Sequence, residues 1–250
     1  MLPDPMAQQV MREDVVDKVL KRDLPSLYNV RNTTELERIF LYLCNVSSDI
    51  VSIEAIAREL SGVSRPTVEN YIQYMESANL VYQSWPVDMV GKRVWKAKPK
   101  IYIADAAIRN AVLMDDSLLT DPVEMGKIVE TAVYKHIAAS CYQKAASVGY
   151  FRGGKKNKEI DIVVGYHNAD RVLVEVKYQE GAPVPDDDAI AELCAEASAA
   201  IVVTKSAADF GVHNTRVGRD MLRIPAFAFL YLLGHAQKNG VDPLRCEGGQ

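Results

Sequence analysis

The stretch that decides the fold is FRGGKKNKEIDIVVGYHNADRVLVEVK, residues 151–177. Its alternation is that of two antiparallel strands joined by a polar turn. In the first strand Glu159, Asp161 and Val163 share one face by the two-residue period, and Ile160, Ile162 and Val164 share the other. His167-Asn168-Ala169-Asp170 returns the chain, and the second strand sets Leu173, Glu175 and Lys177 opposite Val172, Val174 and Val176. Such a hairpin brings Asp161 beside Glu175 and Lys177, three ionisable groups at the end of an apolar ribbon. A plain surface ion-pair cluster is the alternative reading, but the flanking Val and Ile runs call for burial of at least one face.

Outward from this hairpin the pattern is that of an α/β chain with a mixed central sheet flanked by helices. Ahead of it lie a long helix expected over 123–146 and a strand over 147–152. Behind it come a helix over 187–196, strands over 200–204 and 219–224, and a helix over 225–235. Asp186-Asp187-Asp188 reads as a helix start, where negative charge complements the helix dipole. The first half of the chain reads differently. A helix over 10–27 carries Val15, Val16, Val19, Leu20 and Leu24 and ends near Pro25. Asn32-Thr33-Thr34 then caps a helix, with Glu37 as capping-box partner to Thr34. A second helix follows Ser52, and Ser64 caps a third that carries Pro66 in its first turn.

Residues 80–84 and 93–95 are expected to pair as a hairpin, and 100–104 to form another strand. Helix, helix, glycine-containing turn, helix and hairpin are the order of a winged helix-turn-helix. The expected division is an N-terminal helical linker (1–30), a winged helix-turn-helix (31–115), an α/β domain (116–240) and a tail (241–250), with the break in the polar, Pro-marked segment 115–122.

Composition sets wide bounds. The chain has 250 residues, 48% of them hydrophobic and 25% charged, with a net charge of -4, so affinity for nucleic acid has to come from local patches. Cys44, Cys141, Cys194 and Cys246 lie too far apart for zinc-ligand or redox spacing, and no secretory leader is expected. The apolar run 224–233 is too short to cross a bilayer. A cytoplasmic protein is the expectation, without a membrane partner; the sequence leaves the oligomeric state open. The histidines His136, His167, His213 and His235 have no ligand spacing.

Asp161 followed fourteen residues later by Glu175-Val176-Lys177 is similar to the PD-(D/E)xK pattern of restriction-endonuclease-like nucleases. Gly126-Lys127-Ile128-Val129-Glu130 resembles the helix-borne glutamate of many of those enzymes. The chain also resembles the C-terminal half of bacterial and archaeal AAA-type ATPases that bear a DUF4143 domain. The words that carry this are Arg22-Asp23-Leu24, the helix over 64–71, Lys98-Pro99-Lys100-Ile101-Tyr102 leading to Asp105, Gly126 to Glu130, and Phe151-Arg152 leading to Glu159-Ile160-Asp161.

The resemblance implies a restriction-endonuclease-like domain in which Asp161 and Glu175 ligate Mg²⁺ or Mn²⁺ and Lys177 and Glu130 serve catalysis. The physical logic is that a hard cation takes carboxylate oxygens, and a lysine beside them stabilises charge building on a phosphate. It also implies an N-terminal ATPase module as partner. No G-x-x-x-x-G-K-[ST] occurs here, and Gly153-Gly154-Lys155-Lys156 has neither the spacing nor the context, so ATP binding is not expected of these residues.

DNA is the expected partner. Lys92, Arg93, Lys96 and Lys98 surround Trp95 in a run without acids, and Arg152, Lys155 and Lys156 adjoin the proposed metal site. Both clusters suit phosphate contacts. The third helix offers Arg65 among few other base-reading side chains. A catalytically idle regulatory or protein-docking module is the alternative function.

Overall fold

A computed structural model of the chain describes residues 5–88, 93–94, 97–115, 119–142, 144, 146–153, 158–167, 170–216 and 219–244. It divides into two compact units, Met1–Ser84 with Lys98–Thr131, and Trp85–Ala97 with Ala132–Gln250.

In the first unit, helix α1 (Pro5–Val10) continues through π-helical turns at Met11–Asp17 and Val19–Asp23 into α2 (Leu24–Tyr28). The helical chain thus starts earlier than the apolar spacing predicts, and Pro25 is no terminator. Pro25 lies inside this continuous helical run, directly after the second π-helical turn, and the helix ends at Asn29 in the left-handed region with φ 51°. Val16, Leu20 and Leu24 form its buried stripe.

Helix α3 (Thr33–Asn45) is capped by Asn32, whose side chain accepts the Glu35 N–H at 3.2 Å. Of the Asn32-Thr33-Thr34 cap expected from the sequence, Asn32 is the capping residue, and Thr34 already lies within the helix. Ser52 and Ser64 cap α4 (Ile53–Glu59) and α5 (Arg65–Ser77) as their positions predict. Leu36, Ile39, Phe40 and Leu43 of α3 bury against Ile56 of α4 and Val68, Ile72 and Met75 of α5.

Strand β1 (Val81–Pro86) pairs antiparallel with β2 (Lys100–Ile103), from Val81 opposite Ile103 to Ser84 opposite Lys100. On the far side of β2 the link between α3 and α4 adds a third antiparallel segment. Ile50 bridges Lys100, the Ser48 N–H donates to the Ile101 carbonyl at 2.7 Å, and the Val51 N–H donates to the Pro99 carbonyl at 2.9 Å. The hairpin partner of 80–84 is thus β2 and not 93–95. Arg93 makes a single bridge to Val87, and Trp95 lies outside the described residues. Burial explains the choice: Ile101, Tyr102 and Ile103 are wholly buried, whereas Arg93 and Val94 are exposed.

Asp105 caps α6 (Ala106–Leu113), and α7 (Pro122–Cys141) follows. The first unit runs through the N-terminal half of α7 to Thr131, past the boundary expected near 116.

The second unit is built on a mixed sheet in the order β1-β3-β4-β5-β6-β8-β7. Trp85 and Pro86 at the end of β1 lie parallel to Gly149 and Tyr150 of β3 (Ala146–Gly153). β3 is antiparallel to β4 (Lys158–Tyr166), and β4 to β5 (Arg171–Lys177). β6 (Ala199–Thr204) lies parallel to both β5 and β8 (Asp220–Pro225), and β7 (Gly211–Asn214) closes the order antiparallel to β8.

Gly149 has a steric reason, because a Cβ there would stand 2.3 Å from the Trp85 carbonyl oxygen. On one side, Leu173, Ala200, Val202 and Met221 pack with Ala189 and Ile190 of α8 (Ala189–Leu193) and with Cys194. The C-terminal half of α7 contributes the buried Val133, Tyr134 and Ile137, and α9 (Ala226–Lys238) follows β8. Two helices are shorter than predicted: α7 stops at Cys141, and α8 gives way to a 3₁₀ turn over Cys194–Glu196.

Candidate active site at the end of the β4–β5 ladder

The backbone register of β4 and β5 runs from Gly165 opposite Arg171 to Ile162 opposite Val174. One residue beyond, side chains take over the ladder. Asp161 Oδ2 accepts the Val176 N–H at 2.9 Å, and the Asp161 N–H donates to Glu175 Oε2 at 3.4 Å. The two carboxylates therefore lie side by side where the strands part. Each takes a backbone donor that the interrupted ladder would otherwise leave unpaired.

Lys177, two residues further along β5, projects to the same side. Its Nζ lies 3.8 Å from Glu175 Oε1 and 2.8 Å from Asp188 Oδ2. Burial works against the ammonium charge, but the close ion pair with the Asp188 carboxylate and the fields of Glu175, Asp188 and Asp161 outweigh it and hold the Lys177 pKa above the ordinary lysine value. Lys177 is a fixed cation at neutral pH, suited to stabilising negative charge and not to accepting a proton.

Asp188 is not among the site residues expected from the sequence. The three aspartates 186–188 read as a dipole-complementing helix start, and nothing local in the chain separates Asp188 from its neighbours. Only the parallel placement of β6 beside β5, which turns the 178–188 segment back over the sheet, brings it to Lys177.

The other expected site residues are placed as follows. Glu130 lies on α7 within the first unit, where Oε1 is 2.8 Å from Lys100 Nζ and accepts the Tyr102 hydroxyl at 2.8 Å. Neighbouring ties fix the same helical stretch. Ser48 Oγ lies 3.2 Å from Thr131 Oγ1, and Arg109 bonds Glu124 at 2.5 Å and the Cys44 carbonyl at 2.7 Å.

Arg65 is held between Glu54 and Glu69, each at 2.9 Å, so its charge is answered locally. The Arg93 guanidinium lies 3.9 Å from the Trp85 ring centroid, a cation–π stack. Lys98 is exposed. Arg152 is also exposed and stands opposite Glu159 in the β3–β4 register. Lys92, Lys96, Lys155 and Lys156 lie outside the described residues. Among the described residues, no group of three or more His, Cys, Asp or Glu side chains is placed to hold a metal ion, and no helix is long and apolar enough to cross a membrane.

Residues 125–227 match the family described as Domain of unknown function (DUF4143), which supports a DUF4143-type protein, and residues 3–119 match Domain of unknown function (DUF8612). The chain is 22% identical over 187 residues to an uncharacterized protein of Methanocaldococcus jannaschii, covering 72% of this chain and 38% of that protein. It is 25% identical over 112 residues to an uncharacterized protein of Haemophilus influenzae, covering 42% of this chain and 28% of that one. The chain thus spans well under half the length of these curated relatives. No solved structure matches it.

Proposed function

We propose that the second unit is a PD-(D/E)xK-type, divalent-metal-dependent phosphodiesterase domain acting on DNA, and that the first unit is a winged helix-turn-helix that engages the duplex. The observation that carries the first part is the meeting of Asp161, Glu175 and Lys177 where the β4–β5 ladder ends, with Asp161 Oδ2 on the Val176 N–H at 2.9 Å. Two adjacent carboxylates are hard oxygen donors of the number Mg²⁺ takes when its other positions are filled by water and phosphate. Their chemistry fits such an ion, with the Val176 carbonyl as a further oxygen.

Bound there, Mg²⁺ or Mn²⁺ would supply a more acidic water and charge stabilisation at phosphorus. The chain's own part is to hold that ion with Asp161 and Glu175 and to present the Lys177 ammonium to the developing negative charge. Glu130 stands outside this proposed chemistry, because its carboxylate already answers Lys100 and Tyr102.

The winged-helix part rests on chain order: α3, a pairing segment, α4, α5, β1, a basic loop and β2, with β2 central among the three antiparallel segments. The loop between β1 and β2, which falls in the second unit as far as Ala97, carries the cations expected to track phosphates. The greater length of the relatives supports a further module in such proteins, which the resemblance identifies as an ATPase.

A second reading, a catalytically idle regulatory or docking module, is favoured by the lack of a three-ligand metal group among the described residues. Cleavage assays on duplex, single-stranded and branched DNA, with Mg²⁺, with Mn²⁺ and with chelator, separate the two. Metal-dependent cutting that disappears in Asp161→Ala is expected. A wild-type chain that cuts no form with either metal leaves the idle-module reading.

A further inference from the structure

The feature that the proposed chemistry does not absorb is Asp188. It occupies the N-cap position of α8, where an aspartate ordinarily accepts a backbone N–H from the first turn, yet its side chain makes no capping bond. Oδ2, shielded from solvent, instead faces Lys177 Nζ at 2.8 Å, an ångström closer than Glu175 Oε1 at 3.8 Å.

The segment that delivers Asp188 is tied down along its length. Arg223 Nη2 donates to the Gly181 carbonyl at 2.9 Å and the Ala182 carbonyl at 3.2 Å while pairing with Asp209 at 3.2 Å. Ala182 is fully buried. Lys158, reaching from β4, binds the Asp187 carbonyl and Glu192. The position of Asp188 is therefore set by the sheet through several contacts at once.

We propose that Asp188 is the positioning residue for Lys177: it holds the ammonium nearer to itself, 2.8 Å against 3.8 Å to Glu175, and so lessens the competition between Lys177 and a divalent cation for the Glu175 oxygens. This rests on the phosphodiesterase reading of the same site. The electrostatic reason is direct. An ammonium resting on Glu175 would compete with a cation for the same oxygens, and the competition is strongest in a half-buried site where water screens little. A third carboxylate closer to the ammonium lessens that competition while leaving the lysine charge in place for phosphate.

The test is a double-mutant cycle read by Mn²⁺ binding to the full chain, which needs no activity. Asp188→Asn, nearly isosteric, is expected to weaken Mn²⁺ binding about tenfold, the scale of ligand-supporting contacts around metals. Asp188→Glu should restore most of it. In a Lys177→Ala background, Asp188→Asn should change Mn²⁺ affinity by less than about twofold, because there is no ammonium left to steer.

Three results overturn the inference. Unchanged Mn²⁺ affinity in Asp188→Asn, with wild type binding normally, removes the positioning role alone. Equal weakening with and without Lys177 makes Asp188 a direct partner of the ion. A wild-type chain that binds no Mn²⁺ takes away the phosphodiesterase reading, and this inference with it. Asp188→Asn also breaks a half-buried ion pair, so a modestly lower thermal midpoint is expected, and an unchanged circular dichroism spectrum separates a site effect from misfolding.

Discussion

Lys177 and Glu130 entered as equals in the sequence and part company in the structure. Lys177 is kept charged by the carboxylates around it, so its replacement by alanine should cost cleavage about a hundred- to a thousand-fold while Mn²⁺ binding persists, as expected of an electrostatic donor. A raised lysine pKa means its ion pairs stabilise the fold fully below about pH 10 and lose that contribution only as pH climbs through the raised value. The pH–rate profile from pH 6 to 9 should then carry no limb that Lys177→Arg removes. Finding such a limb would show that Lys177 titrates in turnover. Glu130 is read instead as an anchor of α7. Its partner Lys100 has a side chain only 4% exposed, and taking the carboxylate from beside a cation that deep should destabilise by about 3–5 kcal/mol. Denaturant unfolding of Glu130→Ala measures this. A variant as stable as wild type yet inactive would return Glu130 to the chemistry.

At the scale of elements, the β1–β3 contact gives the sharpest forecast. Gly149→Ala puts a Cβ 2.3 Å from a backbone oxygen, a clash that no side-chain rotation relieves, so β1 and β3 must separate there. A loss of about 1–3 kcal/mol, the usual cost of overpacking, is expected in the unfolding free energy. An unchanged midpoint would mean the strands have room. Elements with a strict period were legible in the chain. β5 lies where alternation put it, and the Asp161–Glu175–Lys177 meeting follows from period and turn alone. What failed to show has physical causes. The partner of 80–84 was misjudged because pairing is decided by burial across the sheet, and Ile101-Tyr102-Ile103 is the segment that buries completely. β7 escaped notice because Gly211–Asn214 is a short edge strand with little apolar signal. Asp188 was invisible as a site residue because its role comes from a parallel crossover, which no local spacing encodes.

For the whole molecule, charge is the governing quantity. A net charge of -4 gives no general pull toward DNA, so any binding must come from local cations such as Arg93, Lys98 and Arg152. Replacing all three with alanine should weaken binding to unrelated sequences about equally and lower the log–log salt slope by about one unit for each phosphate contact removed. An unchanged slope would favour the protein-docking reading instead. Arg65, already paired with Glu54 and Glu69, should contribute little, and Arg65→Ala is expected to leave the slope where it was. A calorimetric titration of Mn²⁺ into the wild-type chain and into Asp161→Ala tests the proposed metal centre. One saturable site is expected in the wild type, and its disappearance in the variant, with the fold intact by circular dichroism. No binding in the wild type, or equal binding in both, would contradict a metal centre where the β4–β5 ladder ends.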